Sequence, residues 1–185
     1  MESFSEEDPS WQAKVEAEIA RLEGAMHCLS LNSGVSAVSC LLGTLETGAT
    51  VVVPSDFYSG TRYLMNKCFG SRFKYVELKP NSYLEGLELA LATNQVQLVL
   101  LETPTNPLLH VFDIKACSDL IQRHRKDSLY PILVVDSTFC TPVFQNPLKN
   151  GADVVLHSAT KFLGGHSDAL AGALCTNNDT LNEKL

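Results

Sequence analysis

The chain has 185 residues, of which 45% are hydrophobic and 19% charged, and it carries a formal net charge of −7 at pH 7. Length and composition describe a soluble globular chain with room for one domain, or slightly more, and a sizeable core. The negative balance excludes nucleic acid as a main partner, because no basic stripe is available to neutralise phosphates.

An acidic tail over residues 1–10 opens the chain. Trp11, Val15, Ile19, Leu22 and Met26 then recur at helical spacing, with Ser10 as N-cap and Gly24 near the helix end. Ser33 and Gly34 open a second apolar helix that runs through Cys40 to Leu42. β-Rich runs follow at Thr50–Val53, Phe73–Leu78, Gln97–Leu101, Ile132–Val135, Asp153–Leu156 and Ala169–Cys175. Helix-like stretches lie between them at 57–68, 83–93, 113–126 and 144–150. Strands that alternate with helices, and that are apolar throughout rather than at every second position, predict an α/β fold. A mostly parallel sheet between two helical layers is the expected architecture.

No apolar run approaches spanning length, so no membrane partner is expected, and the acidic start lacks the basic character of a targeting peptide. The cysteines at 28, 40, 68, 117, 140 and 175 form neither a Cys-x-x-Cys nor a zinc spacing. Reduced thiols in the cytoplasm are the expectation. His157 and His166 could supply two metal ligands, but no third has suitable spacing, and no metal site is expected. A dinucleotide-binding oxidoreductase is disfavoured by the lack of any Gly-x-Gly-x-x-Gly or Gly-x-x-x-x-Gly-Lys-Ser/Thr motif.

Polar residues gather where an open α/β sheet places its ligands, beyond the C-terminal ends of strands. Glu102 to Pro107 closes one apolar run, Asp136 closes a second, and Ser158, Thr160 and Lys161 close a third. A lysine flanked by small hydroxyls and followed by Gly164 and Gly165 has the chemistry of a Schiff-base amine beside an anion site. Partial burial and nearby positive charge lower a lysine pKa toward neutrality in that role. Aldehyde and phosphate are combined in one cofactor, pyridoxal 5'-phosphate. Ser33-Gly34-Val35 stands at a helix start, where free amides and the dipole attract anions.

Taken together, Glu102–Pro107, Val135–Phe139, Gln145–Leu148 with Gly151–Asp153, and the lysine block through Asp168 resemble the trans-sulfuration branch of the pyridoxal-phosphate-dependent fold-type I enzymes. These are the cystathionine γ-lyases, γ-synthases and β-lyases and the methionine γ-lyases, and the match spans about Arg21 to Asn177. The resemblance implies that Lys161 forms the Schiff base and moves protons between substrate carbons. Asp136 would keep the pyridine nitrogen protonated, and Asn106 would meet the ring hydroxyl. Tyr58 would stack on one ring face with Thr138 beneath the other, and Tyr58 counts with Lys161 and Asp136 as catalytic. Gly34, Val35, Ser158 and Thr160 would bind the phosphate.

Two departures stand out. The family's Tyr-x-Arg, which reaches a neighbouring subunit's phosphate, corresponds here to Phe4–Ser10, without a tyrosine or a basic residue. No arginine follows Arg125, so the arginine that grips the substrate α-carboxylate has no counterpart. Residues 11–185 are therefore expected to form an incomplete large domain, truncated before the family's smaller C-terminal domain. The expected function is a carbon–sulfur lyase of sulfur amino acid metabolism, acting on cystathionine by α,γ-elimination as a homo-oligomer. The alternatives are γ-replacement, which makes cystathionine, and a catalytically impaired pyridoxal-phosphate-binding protein.

Overall fold

The computed structural model describes residues 9–125 and 129–185. In chain order these form α1 (Pro9–Glu23), β1 (His27–Leu31), α2 (Gly34–Gly43), β2 (Thr50–Pro54), α3 (Ser59–Cys68), β3 (Lys74–Leu78), α4 (Tyr83–Thr93) and β4 (Val96–Glu102). Then come α5 (Ile114–His124), β5 (Ile132–Asp136), the short α6 (Thr141–Phe144), β6 (Val154–His157), β7 (Gly172–Thr176) and α7 (Asp179–Lys184). The seven strands make one sheet in the order β1-β7-β6-β5-β4-β2-β3. Strands β3, β2, β4, β5 and β6 run parallel, while β7 pairs antiparallel with both β6 and β1. This is the mostly parallel α/β/α sandwich expected from the alternating elements.

Burial explains the composition of the strands. Every residue of β2, β6 and β7 is buried, as are all but one in β4 and β5, so neither sheet face has room for a polar stripe. One face carries Val51, Val53, Leu98, Leu100, Val134 and Leu156 against α2, α3 and α7. The other carries Val52, Val99, Leu101, Leu133 and Val135 against α4 and α5.

Several expectations from sequence need correction. Ser10 lies inside α1, which starts at Pro9, a residue whose fixed φ suits a first helical position. The strand β1 has no counterpart in the sequence reading: five half-buried residues, two of them polar, give no apolar run. The stretch 144–150 is two short pieces, α6 and a 3-10 turn at Pro147–Asn150, separated by extended Gln145 and Asn146. The run Ala169–Cys175 forms a strand only from Gly172. The apolar stripe on α1 faces outward, with Trp11, Val15 and Leu22 exposed, while Ala20 and Glu23 are buried. Polar anchors fix the helix instead: Glu16 accepts the Ser30 amide at 2.8 Å, and Glu23 meets His157. The departure at Phe4–Asp8, like the acidic tail before Pro9, lies outside the described residues.

One largely buried ion pair joins α5 to the strands that carry the site. The Arg125 guanidinium lies 2.6 Å from Asp153 and donates to the Pro131 carbonyl, while Asp153 also accepts the Leu133 amide at 2.7 Å. Removing one partner leaves the other charge uncompensated in a poorly solvated place. Asp153→Ala should cost about 3 kcal/mol in urea-induced unfolding, with more restored by adding Arg125→Met than a surface pair would allow.

Candidate active site

Four strand ends and one helix start converge on a single cleft. Strand β1 delivers the chain into Ser33, which caps α2 by accepting the Ser36 amide at 3.1 Å. Gly34 and Val35 therefore lie in the first turn of a ten-residue helix, where backbone geometry leaves amides without an intrahelical acceptor. Strand β2 leads to Tyr58, β4 ends on Glu102, β5 on Asp136, and β6 on His157 just before Ser158. Gly34, Val35, Tyr58, Asn106, Asp136, Thr138, Ser158, Thr160 and Lys161 all line this cleft, so the structure brings together every site residue named from the sequence.

Close backbone approach shapes the anion end. A Cβ on Gly34 would come within 2.7 Å of the Ser158 Cβ, and one on Gly172 within 2.2 Å of the Ser33 carbonyl oxygen. Two glycines thus let the start of α2 sit directly on the segment after β6. The result is a cradle of amides and the Ser158 hydroxyl at a helix start, a setting that favours an anion.

At the floor, Asp136 is half-buried, and one of its oxygens accepts both the Thr138 amide at 3.0 Å and the Thr138 hydroxyl at 2.5 Å. The same Thr138 oxygen accepts the Ser158 amide at 2.8 Å, tying β5 to β6 at the site. The second Asp136 oxygen is left to serve a ligand. Burial pushes the Asp136 carboxyl above its ordinary range, against the two Thr138 hydrogen bonds and the charge of His157.

Thr160 lines the cleft, but its hydroxyl donates to the Ala171 carbonyl and accepts the Ala171 amide. It therefore holds the approach to β7, where the sequence suggested a phosphate donor. Lys161 is exposed, not partly buried, and lines both this cleft and an adjoining shallow one beside Phe162 and Leu170. It is the one cationic side chain among the described residues lining the main cleft, facing the carboxylates of Asp136 and Glu102. Tyr58 is exposed at the rim, and Asn106 is half-buried. His157 and His166 do not meet as metal ligands: the first is buried against Glu23, and the second bonds the Gly164 carbonyl in the open.

Glu102 was quoted in the sequence only as part of a motif, and its role is visible only in three dimensions. One carboxylate oxygen accepts the Tyr58 amide at 2.9 Å and the other the Asn106 amide at 2.6 Å. It therefore splints the two residues that flank the cleft from β2 and β4. Burial pushes its pKa up to about 7, aided by the charges of Asp136 and Asp56 and opposed by the two amides. A chain that places an amine, an amide-lined anion cradle and a carboxylate with a free oxygen around one cleft fits the aldehyde, phosphate and ring nitrogen of pyridoxal phosphate.

Because Glu102 holds its proton more tightly when folded than when unfolded, folded stability falls as pH rises from about 4.5 through about 7. Glu102→Gln should flatten that part of the stability–pH curve. It should also lower stability by about 1–3 kcal/mol, since the one amide oxygen can replace only one carboxylate oxygen and the NH₂ would face the other backbone N–H. Thermal unfolding followed by circular dichroism between pH 4 and 8 checks both effects.

Comparison with known proteins agrees with this arrangement. Similar chains include a cystathionine gamma-lyase of Dictyostelium discoideum, 44% identical over 170 residues, which cover 90% of this chain and 42% of that relative. A cystathionine gamma-synthase of Mycobacterium leprae is 40% identical over 173 residues, covering 93% of this chain and 43% of the relative. The solved structure of metB from Corynebacterium glutamicum superposes with a TM-score of 0.87 at 32% identity, over 100% of this chain and 50% of that one. The chain spans about half the length of these relatives, or less. The family model described as Cys/Met metabolism PLP-dependent enzyme matches residues 7–185, and the chain belongs to that family.

Proposed function

We propose that this chain supplies the cofactor-binding part of a cystathionine γ-lyase-like enzyme, which breaks the Cγ–S bond of L-cystathionine and releases cysteine, with 2-oxobutanoate and ammonia as the other products. The single observation that carries the reading is the convergence of Lys161, Asp136 and the α2–Ser158 cradle on one cleft from three separate segments. Pyridoxal phosphate supplies, when bound, an aldehyde for amines and a protonated ring that withdraws electrons from the substrate's Cα.

The side chains divide the remaining work. The Gly34 and Val35 amides and the Ser158 hydroxyl hold the phosphate, where the dipole of α2 favours negative charge. Asp136 offers its free oxygen to a ring N–H, and Thr138 fixes the orientation of the carboxylate. Asn106 and Tyr58, set by Glu102, orient and cover the ring from the β4 and β2 sides. The exposed Lys161 amine would hold the cofactor by its aldehyde and, once the substrate amine has displaced it, would be free to take the Cα proton. A flexible four-carbon stem suits an amine that must serve two atoms.

The free cysteines support a reducing compartment such as the cytoplasm. Exposed Phe162 and Leu170 beside the cleft, with exposed Val143 and Phe144 on α6, support a homo-oligomer as the working form.

The test is spectroscopic first and catalytic second. Purified protein incubated with pyridoxal phosphate should gain a visible absorption band, and borohydride should fix a pyridoxyl group on Lys161, both lost in Lys161→Ala. Release of 2-oxobutanoate and ammonia from L-cystathionine should fall about 10²–10⁴-fold in that variant. Absence of the band in the parent protein overturns the reading.

A further inference from the structure

Cys28 on β1 and Cys175 on β7 stand directly opposite each other in the antiparallel register. Opposed residues of such a pair turn their side chains to the same face of the sheet. Their Cα atoms lie about 4.5–5.5 Å apart, inside the span of about 4.4–6.8 Å that a disulfide bridges. Both cysteines are free, and their thiols are close enough to share a hydrogen bond. The face is the one beneath α1, because Cys28 lines a surface hollow with Glu16, Ala17 and Ala20 of that helix.

The two thiols differ in access. Cys175 is fully buried, whereas Cys28 is half-buried at the hollow. A small oxidant therefore meets Cys28 first, and Cys175 stands behind it as the resolving thiol. The contact with Cys28, together with burial, pushes the Cys175 thiol well above its ordinary range, so it stays protonated until its partner is activated.

Location gives the pair a consequence. β1 is an edge strand whose one strand partner among the described residues is β7. Near the cysteines the junction is tied by exposed polar contacts, the Met26 amide to Asn177 and the His27 ring to Asp179. At its other end β1 leads to Ser33, against whose carbonyl Gly172 of β7 is packed. The seating of β1 on β7 thus extends from the sulfur pair to the helix start that lines the cleft.

We propose that Cys28 and Cys175 form a reversible redox staple, a disulfide that locks β1 to β7 when the surroundings become oxidising. The oxidant is a low-molecular-weight disulfide. The Cys28 thiolate attacks one of its sulfurs, and the small thiolate that leaves takes up the Cys28 proton. The Cys175 sulfur then displaces the second small thiol from Cys28, its proton passing to the departing sulfur. Two protein thiols and one small disulfide become one protein disulfide and two small thiols. No step uses a cofactor, so the proposal stands apart from the function proposed above.

The test is to incubate the folded protein with oxidised glutathione, cap remaining thiols with iodoacetamide and map unreduced peptides by mass spectrometry. A peptide joining Cys28 to Cys175, released by dithiothreitol, is expected, while exposed Cys68 carries glutathione. Cys175→Ala should lose the cross-link and trap glutathione on Cys28, and Cys28→Ala should leave Cys175 unmodified. The oxidised protein should keep the circular dichroism of the folded chain, with a thermal midpoint raised by about 5 °C or more. Glutathione on Cys28 of the parent protein without a cross-link overturns the proposal, as does a cross-link that forms only in urea. An unchanged or lowered midpoint overturns the lock. Should either variant fail to fold, the peptide map of the parent protein decides alone.

Discussion

Glu102 and Asp136 stand in register at the ends of adjacent parallel strands, in a setting too poorly solvated for two free negative charges. The rest of the site is arranged around that conflict. Burial raises both, Asp136 against its two Thr138 donors and the charge of His157, and Glu102 up to about 7 against its two backbone amides. The two carboxylates are separated in role. One keeps a free oxygen for a cation in the cleft, and the other spends both oxygens on the backbone of Tyr58 and Asn106.

The second requirement is closeness. Anion binding at a helix start works over short distances, and α2 reaches the end of β6 only because Gly34 and Gly172 have no side chain in the way. Thr160 then ties the lysine loop to Ala171 at the threshold of β7. Lys161 is held at its base by this pairing while its amine stays free and exposed. A fixed loop with a mobile tip suits a group that must reach more than one atom.

Much of this was legible in the chain because strand ends announce themselves. Continuous apolar runs closed by Glu102, Asp136 and Ser158 gave both the parallel sheet and the edge on which chemistry collects. What stayed hidden depends on partners far away in sequence. Helix α1 shows helical periodicity, but its apolar stripe is exposed and its buried face is set by Glu23, whose partner His157 could not be inferred from spacing. Strand β1 was missed because pairing with β7 on one side, not apolar content, makes it a strand. Thr160 has the right type and place for a phosphate donor, yet the Ala171 carbonyl, 11 positions away, takes its proton.

The reversed strand β7 has a consequence for how the molecule is made. Strand β1 joins the sheet solely through β7, and the Met26 amide is held by Asn177, 151 positions away. During synthesis β1 has no strand to pair with until β7 has left the ribosome. Closure of so long a loop delays productive assembly and leaves early segments without cover. Late pairing of this kind makes elongation speed and nascent-chain chaperones matter to the yield of the protein alongside the stability of its finished core.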